Sequence, residues 1–375
     1  MLRTTRSRFH VETRRLTDEL SLSIALDSAP RFRPANGGTR FLPYASAGEA
    51  VADAYALCQH MRFKHNLYDT GFRGAKLVAR GPVTADNKRA LLDGIVDALH
   101  DYEGELYTGC DLNTTREDME RVGDRSPFVL AALGSEVDAS AATGRGVAAS
   151  FLSAVQEMTK VERWELSEPK SAMVHGCGAT GSVVARALVD AGLDVYTLDL
   201  DARRADIPGC TNISDDPHWF EREVDALLPC SMSRLIDAPV ASRLRCRLIV
   251  AAANDPLTEA AEATCDQRGI AWLPDPVSNA GAVIVDSVEH YAPHHWEVAR
   301  AEEVYQFVEE RTAEVTGQVI HEAVRRDASL RDVVESFADR ACATPVGTHF
   351  YAASDAARPR ASTPRPTLSE LRETA

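Results

Sequence analysis

Ala172-Met173-Val174-His175-Gly176-Cys177-Gly178-Ala179-Thr180-Gly181 decides the fold of the second half of this chain. An apolar strand sequence leads into a G-x-G-x-x-G pattern, and apolar residues then recur at helical spacing from Val183 to Leu188. Glycines at these places permit a tight turn, a close backbone approach to a pyrophosphate and close packing of helix on strand, while the helix N-terminus attracts anions. The stretch predicts a Rossmann-type dinucleotide-binding domain with cofactor contacts at Gly176, Cys177, Gly178, Ala179, Thr180 and Gly181.

An acidic residue follows at the spacing of a ribose-binding carboxylate. The apolar run 195–198 ends at Asp199, 23 residues after Gly176. A carboxylate here accepts hydrogen bonds from the ribose hydroxyls and repels a 2′-phosphate, which predicts NAD rather than NADP as cofactor. Arg203 and Arg204 follow closely and could offset this preference, and an exposed acid at a strand end is the alternative interpretation.

The composition is that of a globular, acidic protein. The 375 residues are 45% hydrophobic and 26% charged, with a net charge of −15. Nucleic acid as a partner is not expected, because a polyanion requires a basic surface, and a membrane is not expected, because no apolar run reaches the roughly 18 residues of a spanning helix. The eight cysteines form no Cys-x-x-Cys pair and no zinc spacing, which favours reduced thiols, a cytoplasmic location and no metal site.

The first part of the chain is predicted to be an α/β substrate domain over residues 1–142. Its predicted strands are 20–26, 77–79 and 105–107, and its helices begin at a Ser46/Glu49 capping box and near Thr84.

Residues 143–328 are predicted to form the Rossmann-type domain, with helices around 146–158 and 296–325. The apolar runs 172–174, 195–198, 248–250 and 270–272 alternate with helical stretches, which is typical of a doubly wound parallel sheet. Residues 329–350 are predicted to return towards the first domain as a helix. Residues 351–375, rich in Ala, Arg, Pro, Ser and Thr, are predicted to be disordered.

Short segments outside the glycine pattern match a second set of motifs. In chain order they are Gly37-Gly38-Thr39-Arg40, Met61-Arg62-Phe63-Lys64, Gly74-Ala75-Lys76, Cys110-Asp111-Leu112-Asn113-Thr114-Thr115, Ala142-Thr143-Gly144-Arg145-Gly146-Val147, Pro229-Cys230, Ala253-Asn254-Asp255 and Pro274-Asp275-Pro276-Val277-Ser278-Asn279-Ala280-Gly281. They resemble the G-G-T-R, M-T-Y-K, G-G-G-K, E-D-x-G-T-T, T-G-x-G-V, P-C-A, A-N-N and P-D-x-x-x-N-A-G-G segments of the leucine, phenylalanine, valine and glutamate dehydrogenases. The resemblance covers roughly residues 20 to 345.

The resemblance implies roles for individual residues. Lys76 would be the catalytic acid/base, Asp111 would relay a proton and hold the substrate amine, and Lys64 would bind the α-carboxylate. Asn254 would position both nicotinamide and substrate, Gly37 and Gly38 would lie against the substrate, and further cofactor contacts would come from Thr143, Cys230, Ala253 and Asn279. Thr143 and Asn279 could equally be cap or turn residues, and His65 is interpreted as local scaffold.

The sequence departs from the family pattern at two places. Arg73-Gly74-Ala75 replaces three glycines before the second lysine, which makes the conformation of that loop an open question. The positions that line the side-chain pocket of the apolar-specific members correspond to Asn36, Gly109, Val283 and Asp286. A buried carboxylate requires a partner, so Asp286 should pair with a protein arginine such as Arg73, or with a polar or basic substrate.

These features predict an NAD-dependent enzyme that oxidatively deaminates an L-amino acid, or reductively aminates the 2-oxo acid with ammonia, and that forms a homo-oligomer. A polar or unusual substrate side chain is favoured. A cofactor-linked cyclic-imine reductase or lyase on the same scaffold, and a non-catalytic NAD-binding protein, are the alternatives.

Overall fold

The computed structural model describes residues 8–28, 32–164, 166–337 and 344–351. Internal contacts divide the chain into two units. Within the described residues the first unit comprises 8–135, 286–297 and 337–350, and the second comprises 136–285, 298–336 and Tyr351. The predicted domain boundaries at 142/143 and 328/329 stay predictions. The predicted disordered tail lies outside the described residues except for Tyr351.

A mixed sheet forms the centre of the first unit. Its strands are β1 (Phe9–Arg15), β2 (Ser21–Asp27), β3 (Ala35–Asn36), β4 (Thr39–Leu42), β5 (Arg73–Arg80) and β6 (Leu106–Tyr107). The strand order is β1-β2-β5-β3-β6, with β4 also paired to β5. The β1/β2 and β2/β5 pairs are antiparallel, whereas β3 and β4 run parallel to β5.

Three helices accompany this sheet: α1 (Ala47–Leu67), α2 (Ala85–Asp101) and α3 (Arg116–Gly123). The predicted start of α1 is confirmed, because the Ser46 side chain accepts a hydrogen bond from the Glu49 amide. Thr84 likewise caps α2. Leu22 and Ile24 of β2 are fully buried in the same hydrophobic cluster as the apolar face of α2, so alternation in the strand and helical periodicity point to one core.

The second unit contains a six-stranded sheet within its described residues. In chain order its elements are α4 (Ala139–Met158), β7 (Ser171–His175), α5 (Ala179–Asp190), β8 (Asp194–Leu198), β9 (Cys210–Asn212), β10 (Ala226–Pro229), α6 (Ala238–Arg243), β11 (Leu248–Ile249), α7 (Glu259–Gln267), β12 (Ala271–Trp272) and α8 (Asp275–Ser278). The strand order is β12-β11-β10-β7-β8-β9 and every pairing is parallel. Numbered from β7, this is the 3-2-1-4-5-6 order of dinucleotide-binding folds, so the predicted fold class is confirmed.

The remaining helices are α9 (Gly281–Tyr291), α10 (Pro293–Trp296), α11 (Ala301–Arg326) and α12 (Leu330–Phe337). Helix α9 belongs to the second unit up to Val285 and to the first unit from Asp286 onwards. The chain of the first unit ends with a short 3-10 helix, Val346–His349, whose Gly347 amide donates to Ser287 of α9.

Helix α4 begins seven residues earlier than predicted. The prediction placed its start near Gly146, but Asp138 caps the helix through a hydrogen bond from the Ala141 amide. A Cβ at Gly144 would lie 2.8 Å from the carbonyl oxygen of Thr180. The glycine therefore permits close helix packing and does not end the helix.

No helix in the described part of the chain combines the length and the apolar character required to cross a membrane.

Candidate active site

Lys76 and Asp111 form a close ion pair in the first unit. Lys76 projects from β5 and Asp111 follows β6, and their Nζ and Oδ2 atoms are 2.5 Å apart. The Lys76 side chain is 8% exposed and that of Asp111 20%. The structure thus brings the two predicted catalytic residues together, and their roles stay predictions.

Two adjacent glycines permit this approach. A Cβ at Gly37 would lie 1.8 Å from the carbonyl oxygen of Ala75, and one at Gly38 would lie 2.4 Å from that of Cys110 and 3.2 Å from the Asp111 Cβ. Any side chain at either place would therefore push the strand that carries Lys76 away from the loop that carries Asp111. The glycines of the G-G-T-R segment thus have a structural reason that does not depend on substrate contact.

Gly109 has a similar structural reason. A Cβ there would lie 2.2 Å from the carbonyl oxygen of Leu130. The absence of a side chain lets the neighbouring backbone approach, as shown by the hydrogen bond from the Leu130 amide to the Thr108 carbonyl. Its predicted place in a substrate pocket stays a prediction.

Asp111 is held in its charged form. Burial by itself raises the pKa of the carboxyl, but the charges of Lys76 and Arg40 and the hydrogen bond from Lys76 outweigh burial and lower the pKa. Arg40 contributes through its Nε, which donates to Asp111 Oδ2 at 3.1 Å. Two cations converge on one carboxylate oxygen, so Asp111 stays an acceptor across the neutral range.

Arg40 extends this cluster to two residues that sequence reasoning missed. Its Nη1 donates to Asp53 Oδ2 at 3.1 Å, and the Tyr44 hydroxyl donates to the same oxygen. Arg40 lies in the G-G-T-R segment, and a cation two residues after a pair of glycines was the available signal. Asp53 lies in the second turn of α1, where an aspartate usually faces solvent, and nothing in the sequence distinguishes it.

Asn36 and Asp286 form a second polar pair. Asn36 Nδ2 donates to Asp286 Oδ2 at 2.7 Å. The suggested pairing of Asp286 with Arg73 is wrong. The Arg73 guanidinium donates to the carbonyl oxygens of Asp27 at 2.6 Å and Arg33 at 2.9 Å, and forms an ion pair with Glu105.

His65 holds the backbone of Asn36. Its Nε2–H donates to the Asn36 carbonyl at 3.0 Å, and its Nδ1 accepts from the Thr70 hydroxyl at 2.7 Å. Burial lowers the pKa of His65 to about 4, so the ring is neutral and retains this tautomer. The interpretation of His65 as local scaffold agrees with these contacts.

Lys64 is buried in the last turn of α1. Helix α1 lies directly on β5, because a Cβ at Gly74 would meet the Cys58 carbonyl oxygen at 2.6 Å and the Arg62 amide at 2.7 Å. The predicted carboxylate-binding lysine therefore belongs to a helix packed against the strand that carries Lys76. Its role stays a prediction.

The glycine-rich loop of the second unit fits a dinucleotide. Gly176 has a φ of +94°, which a side chain would strain, and a Cβ there would meet Ser231 at 2.6 Å. At Gly178, by contrast, a Cβ would meet nothing within 4 Å. No side chain among the described residues caps α5, which starts there. Open space in front of uncapped helix amides is what a pyrophosphate requires.

Asp199 lies against this loop. Its Oδ2 accepts a hydrogen bond from the Cys177 amide at 2.7 Å, and its Oδ1 accepts from the Asp201 amide at 2.9 Å. Each carboxylate oxygen retains a further lone pair for a ribose hydroxyl. Cys230 follows β10, and its amide donates to the His175 carbonyl at the end of β7.

The other predicted cofactor residues meet in the second unit. Asn279 Nδ2 donates to Asn254 Oδ1 at 3.0 Å and approaches the Ala253 carbonyl at 3.5 Å. The Thr143 hydroxyl accepts from the Ala282 amide at 3.2 Å. Thr143 and Asn279 thus have local structural bonds, as the cap or turn interpretation expected, and their cofactor contacts stay predictions. Val283 is buried on α9, three residues before Asp286.

Known protein families and sequences match large parts of this chain. Residues 200–341 match the family model described as glutamate/leucine/phenylalanine/valine dehydrogenase. Phenylalanine dehydrogenase of Lysinibacillus sphaericus is 28% identical over 285 residues, covering 72% of this chain and 74% of the relative. Valine dehydrogenase of Streptomyces coelicolor is 29% identical over 280 residues, covering 71% and 74%. The chain is thus similar in sequence to the glutamate/leucine/phenylalanine/valine dehydrogenases.

A solved structure shares the fold. The hetero-hexameric glutamate dehydrogenase of Thermus thermophilus superposes with a TM-score of 0.71 at 22% identity, covering 88% of this chain and 87% of that one. The family-model match begins one residue after Asp199. Lys76 and Asp111 therefore lie outside it, and the structure supplies the local geometry for them.

The chain's departure from the family's glycine-rich segment has a structural account. Arg73–Lys76 is not a loop, because β5 begins at Arg73. Gly74 is retained where α1 packs, Ala75 is fully buried, and Arg73 turns its guanidinium to backbone carbonyls. Lys76 is therefore fixed by a regular strand in the absence of two of the three glycines.

Proposed function

We propose that this chain is an NAD-dependent L-amino-acid dehydrogenase that produces a 2-oxo acid and ammonia, and that runs in reverse as a reductive aminase. The observation that carries the proposal is the Lys76–Asp111 pair at 2.5 Å, in a chain that is similar to these dehydrogenases and whose second unit has a glycine-rich loop that fits a dinucleotide. NAD, when bound, accepts the hydride from the substrate Cα.

The residues of the first unit supply the remaining chemistry. Lys64 binds the α-carboxylate as a cation, and Asp111 accepts a hydrogen bond from the substrate amine. Lys76, after giving up its proton, takes one from the water that attacks the imine carbon, and the amine then leaves as ammonia. The balance is amino acid, water and NAD⁺ going to oxo acid, ammonium, NADH and a proton.

Turnover tests the proposal. NADH formation is followed at alkaline pH with NAD⁺ and each proteinogenic L-amino acid, and the reverse reaction is followed with and without ammonium. Lys76→Ala should lower kcat by about 1,000-fold or more, as expected for loss of a general acid/base, while NADH binding stays near that of wild type. Exposed Lys170 provides the matched control, Lys170→Ala, which should stay active. Oxidation of NADH without any need for ammonium would instead support an imine reductase.

NAD is the proposed cofactor because Asp199 lies at the glycine loop and the nearby cations are engaged. Arg203 forms two hydrogen bonds of 2.9 Å with Asp201, and Arg204 approaches the same residue. Asp199→Ala should reduce the preference for NADH over NADPH by about 10-fold, the value of one charged hydrogen bond, measured as a ratio of dissociation constants. Asp194→Ala, an exposed acid at the other end of β8, should leave the ratio unchanged. A wild-type preference for NADPH would contradict the assignment.

A cytoplasmic homo-oligomer is the proposed state of the protein. The seven cysteines of the described residues are free thiols, which supports a reducing compartment. The glutamate dehydrogenase of similar fold is hetero-hexameric, which supports the proposal that this chain also forms an oligomer. Light scattering on the purified chain gives the mass, and a monomeric mass would contradict the proposal.

A further inference from the structure

The Asn36–Asp286 pair lies beside the catalytic residues of the first unit. Asn36 pairs with Gly74 in the β3/β5 register, two residues before Lys76. The charge of Asp286 also acts on the thiol of Cys110, the residue that precedes Asp111. The Asn36–Asp286 pair therefore lies close to the two segments that carry Lys76 and Asp111.

Asp286 is incompletely satisfied. Its side chain has one hydrogen bond to the described residues, from Asn36 Nδ2 to Oδ2, and no ion pair with them. The nearby Arg73 is committed to backbone carbonyls. Burial, the largest cause, and the charge of Glu289 raise the pKa of Asp286 well above its ordinary value, and the hydrogen bond from Asn36 only partly opposes them. The side chain is partly buried, and a partly desolvated carboxylate with a single neutral donor is stabilised when a further donor or a cation completes it.

A second acid lies three residues further along α9. Glu289 accepts a hydrogen bond from the Ala132 amide at 3.0 Å. Burial raises its pKa to about 7, although the hydrogen bond and the charge of Arg116 oppose the rise. Two carboxyl groups on consecutive turns of one helix lose their protons more readily when a cation lies beside them, so this part of the unit favours a cationic ligand.

The donor to Asp286 is fixed in position. The neutral His65 ring holds the Asn36 carbonyl, and Thr70 holds the ring. The Thr70 carbonyl in turn accepts from the hydroxyl of Ser287, the neighbour of Asp286 on α9, at 2.8 Å. These hydrogen bonds, together with the backbone of Thr70 and of Ser287, fix the two partners, so that Asp286 Oδ2 accepts from Asn36 while Oδ1 accepts no hydrogen bond from the described residues.

We propose that Asp286 is the specificity residue for a basic L-amino acid and binds the terminal ammonium of its side chain, with Asn36 and Glu289 as positioning residues. This assignment rests on the proposed dehydrogenase function. A neutral hydroxyl or amide side chain would supply a hydrogen bond but not the positive charge that favours the ionised forms of the two acids. A terminal ammonium supplies up to three donors and a charge, so it satisfies Asp286 more completely.

Matched substrate pairs test the proposal. L-lysine and L-norleucine share a four-carbon side chain and differ by the terminal ammonium, and L-ornithine and L-norvaline differ in the same way with three carbons. Wild-type kcat/KM should favour the basic member of at least one pair by 10-fold or more. Asp286→Asn keeps the shape and removes the charge, and should lower kcat/KM for that basic substrate by about 100-fold, as for a truncated buried charge pair. Its neutral counterpart should be turned over at least as well as by wild type.

The control is Asp97→Asn, the same change at an exposed position of α2 in the same unit, which should leave all four substrates unaffected. Thermal unfolding and NADH binding establish that each variant is folded. If Asp286→Asn is not folded, Asp286→Glu retains the charge and should retain the preference for an ammonium. Wild type that prefers norleucine and norvaline, or a variant with an unchanged ratio, would overturn the role of Asp286 while the dehydrogenase function stands. Absence of turnover with these four substrates and with every proteinogenic L-amino acid would overturn both.

Discussion

Asp111 and Asp286 are both acids of the first unit, yet their surroundings drive their protonation in opposite directions. Asp111 receives Lys76 and Arg40 on one oxygen, and these cations lower its pKa despite burial. Asp286 receives a neutral amide and faces Glu289, and burial raises its pKa. The presence of cations, more than burial, decides whether a carboxylate in this unit stays charged.

The contrast separates two kinds of site. Asp111 is electrostatically complete in the protein alone, which suits a group that must hold and transfer a proton in every turnover. Asp286 is incomplete in the protein alone, which suits a group whose charge is compensated only when a ligand arrives. Substitutions at each acid and at its neighbours test this difference.

The largest expected effect follows removal of the charge of Asp111. Asp111→Asn leaves Lys76 buried without its counter-ion and replaces the charged acceptor for the substrate amine by a neutral one. kcat should fall by about 1,000-fold. NADH binding, measured by fluorescence, should change little, because the glycine loop belongs to the second unit. Near-full activity would show that the pair has no catalytic role.

Loss of Arg40 should have a smaller effect through the same acid. Arg40→Gln removes one of the two cations that lower the pKa of Asp111, so that pKa should rise. The substrate amine and Lys76 then face a less firmly charged acceptor, so kcat/KM at the optimal pH should fall by about 10-fold.

Arg40→Lys is the matched variant, because it keeps the charge but loses the guanidinium that bridges Asp111 and Asp53. It should recover part of the lost kcat/KM. Equal kcat/KM values for the wild type and Arg40→Gln would show that Lys76 alone sets the charge of Asp111.

The two sites also differ in how far the sequence could predict them. The loop Gly176–Gly181 and the parallel order of the second sheet depend on local patterns, and the ion pair of Lys76 and Asp111 could be anticipated from family spacing. The hydrogen bond between Asn36 and Asp286 joins residues 250 positions apart, and no local pattern encodes it. The choice of Arg73 as a partner was wrong for the same reason, because its burial against two backbone carbonyls depends on how distant strands meet.

Local patterns failed where packing overrides propensity. Strand β1 was missed because His10, Glu12 and Arg14 interrupt its apolar residues, and its antiparallel pairing with β2 supplies the stabilisation that propensity does not. The early start of α4 was missed because its glycines are usual helix breakers in a single sequence, whereas here they permit contact with neighbouring helices.

The smallest expected effect tests the acidic site without any substrate. Glu289 has a pKa of about 7 in the fold against an ordinary value of 4.5, so the folded state binds this proton more tightly than the unfolded state. Its contribution to stability is therefore fully present below about pH 4.5 and is lost as the pH rises through 7. Glu289→Gln keeps an acceptor for the Ala132 amide and cannot ionise, so it should unfold like wild type at pH 5. At pH 8.5 it should be more stable than wild type by about 2 kcal/mol, after a discount for partial exposure.

Denaturant unfolding at the two pH values measures this difference in the free energy of unfolding, with Glu117→Gln on the exposed face of α3 as the control. A variant that is less stable than wild type at pH 8.5 would mean that a cation already neutralises Glu289, and the contrast between the two acidic regions would then be confined to Asp286.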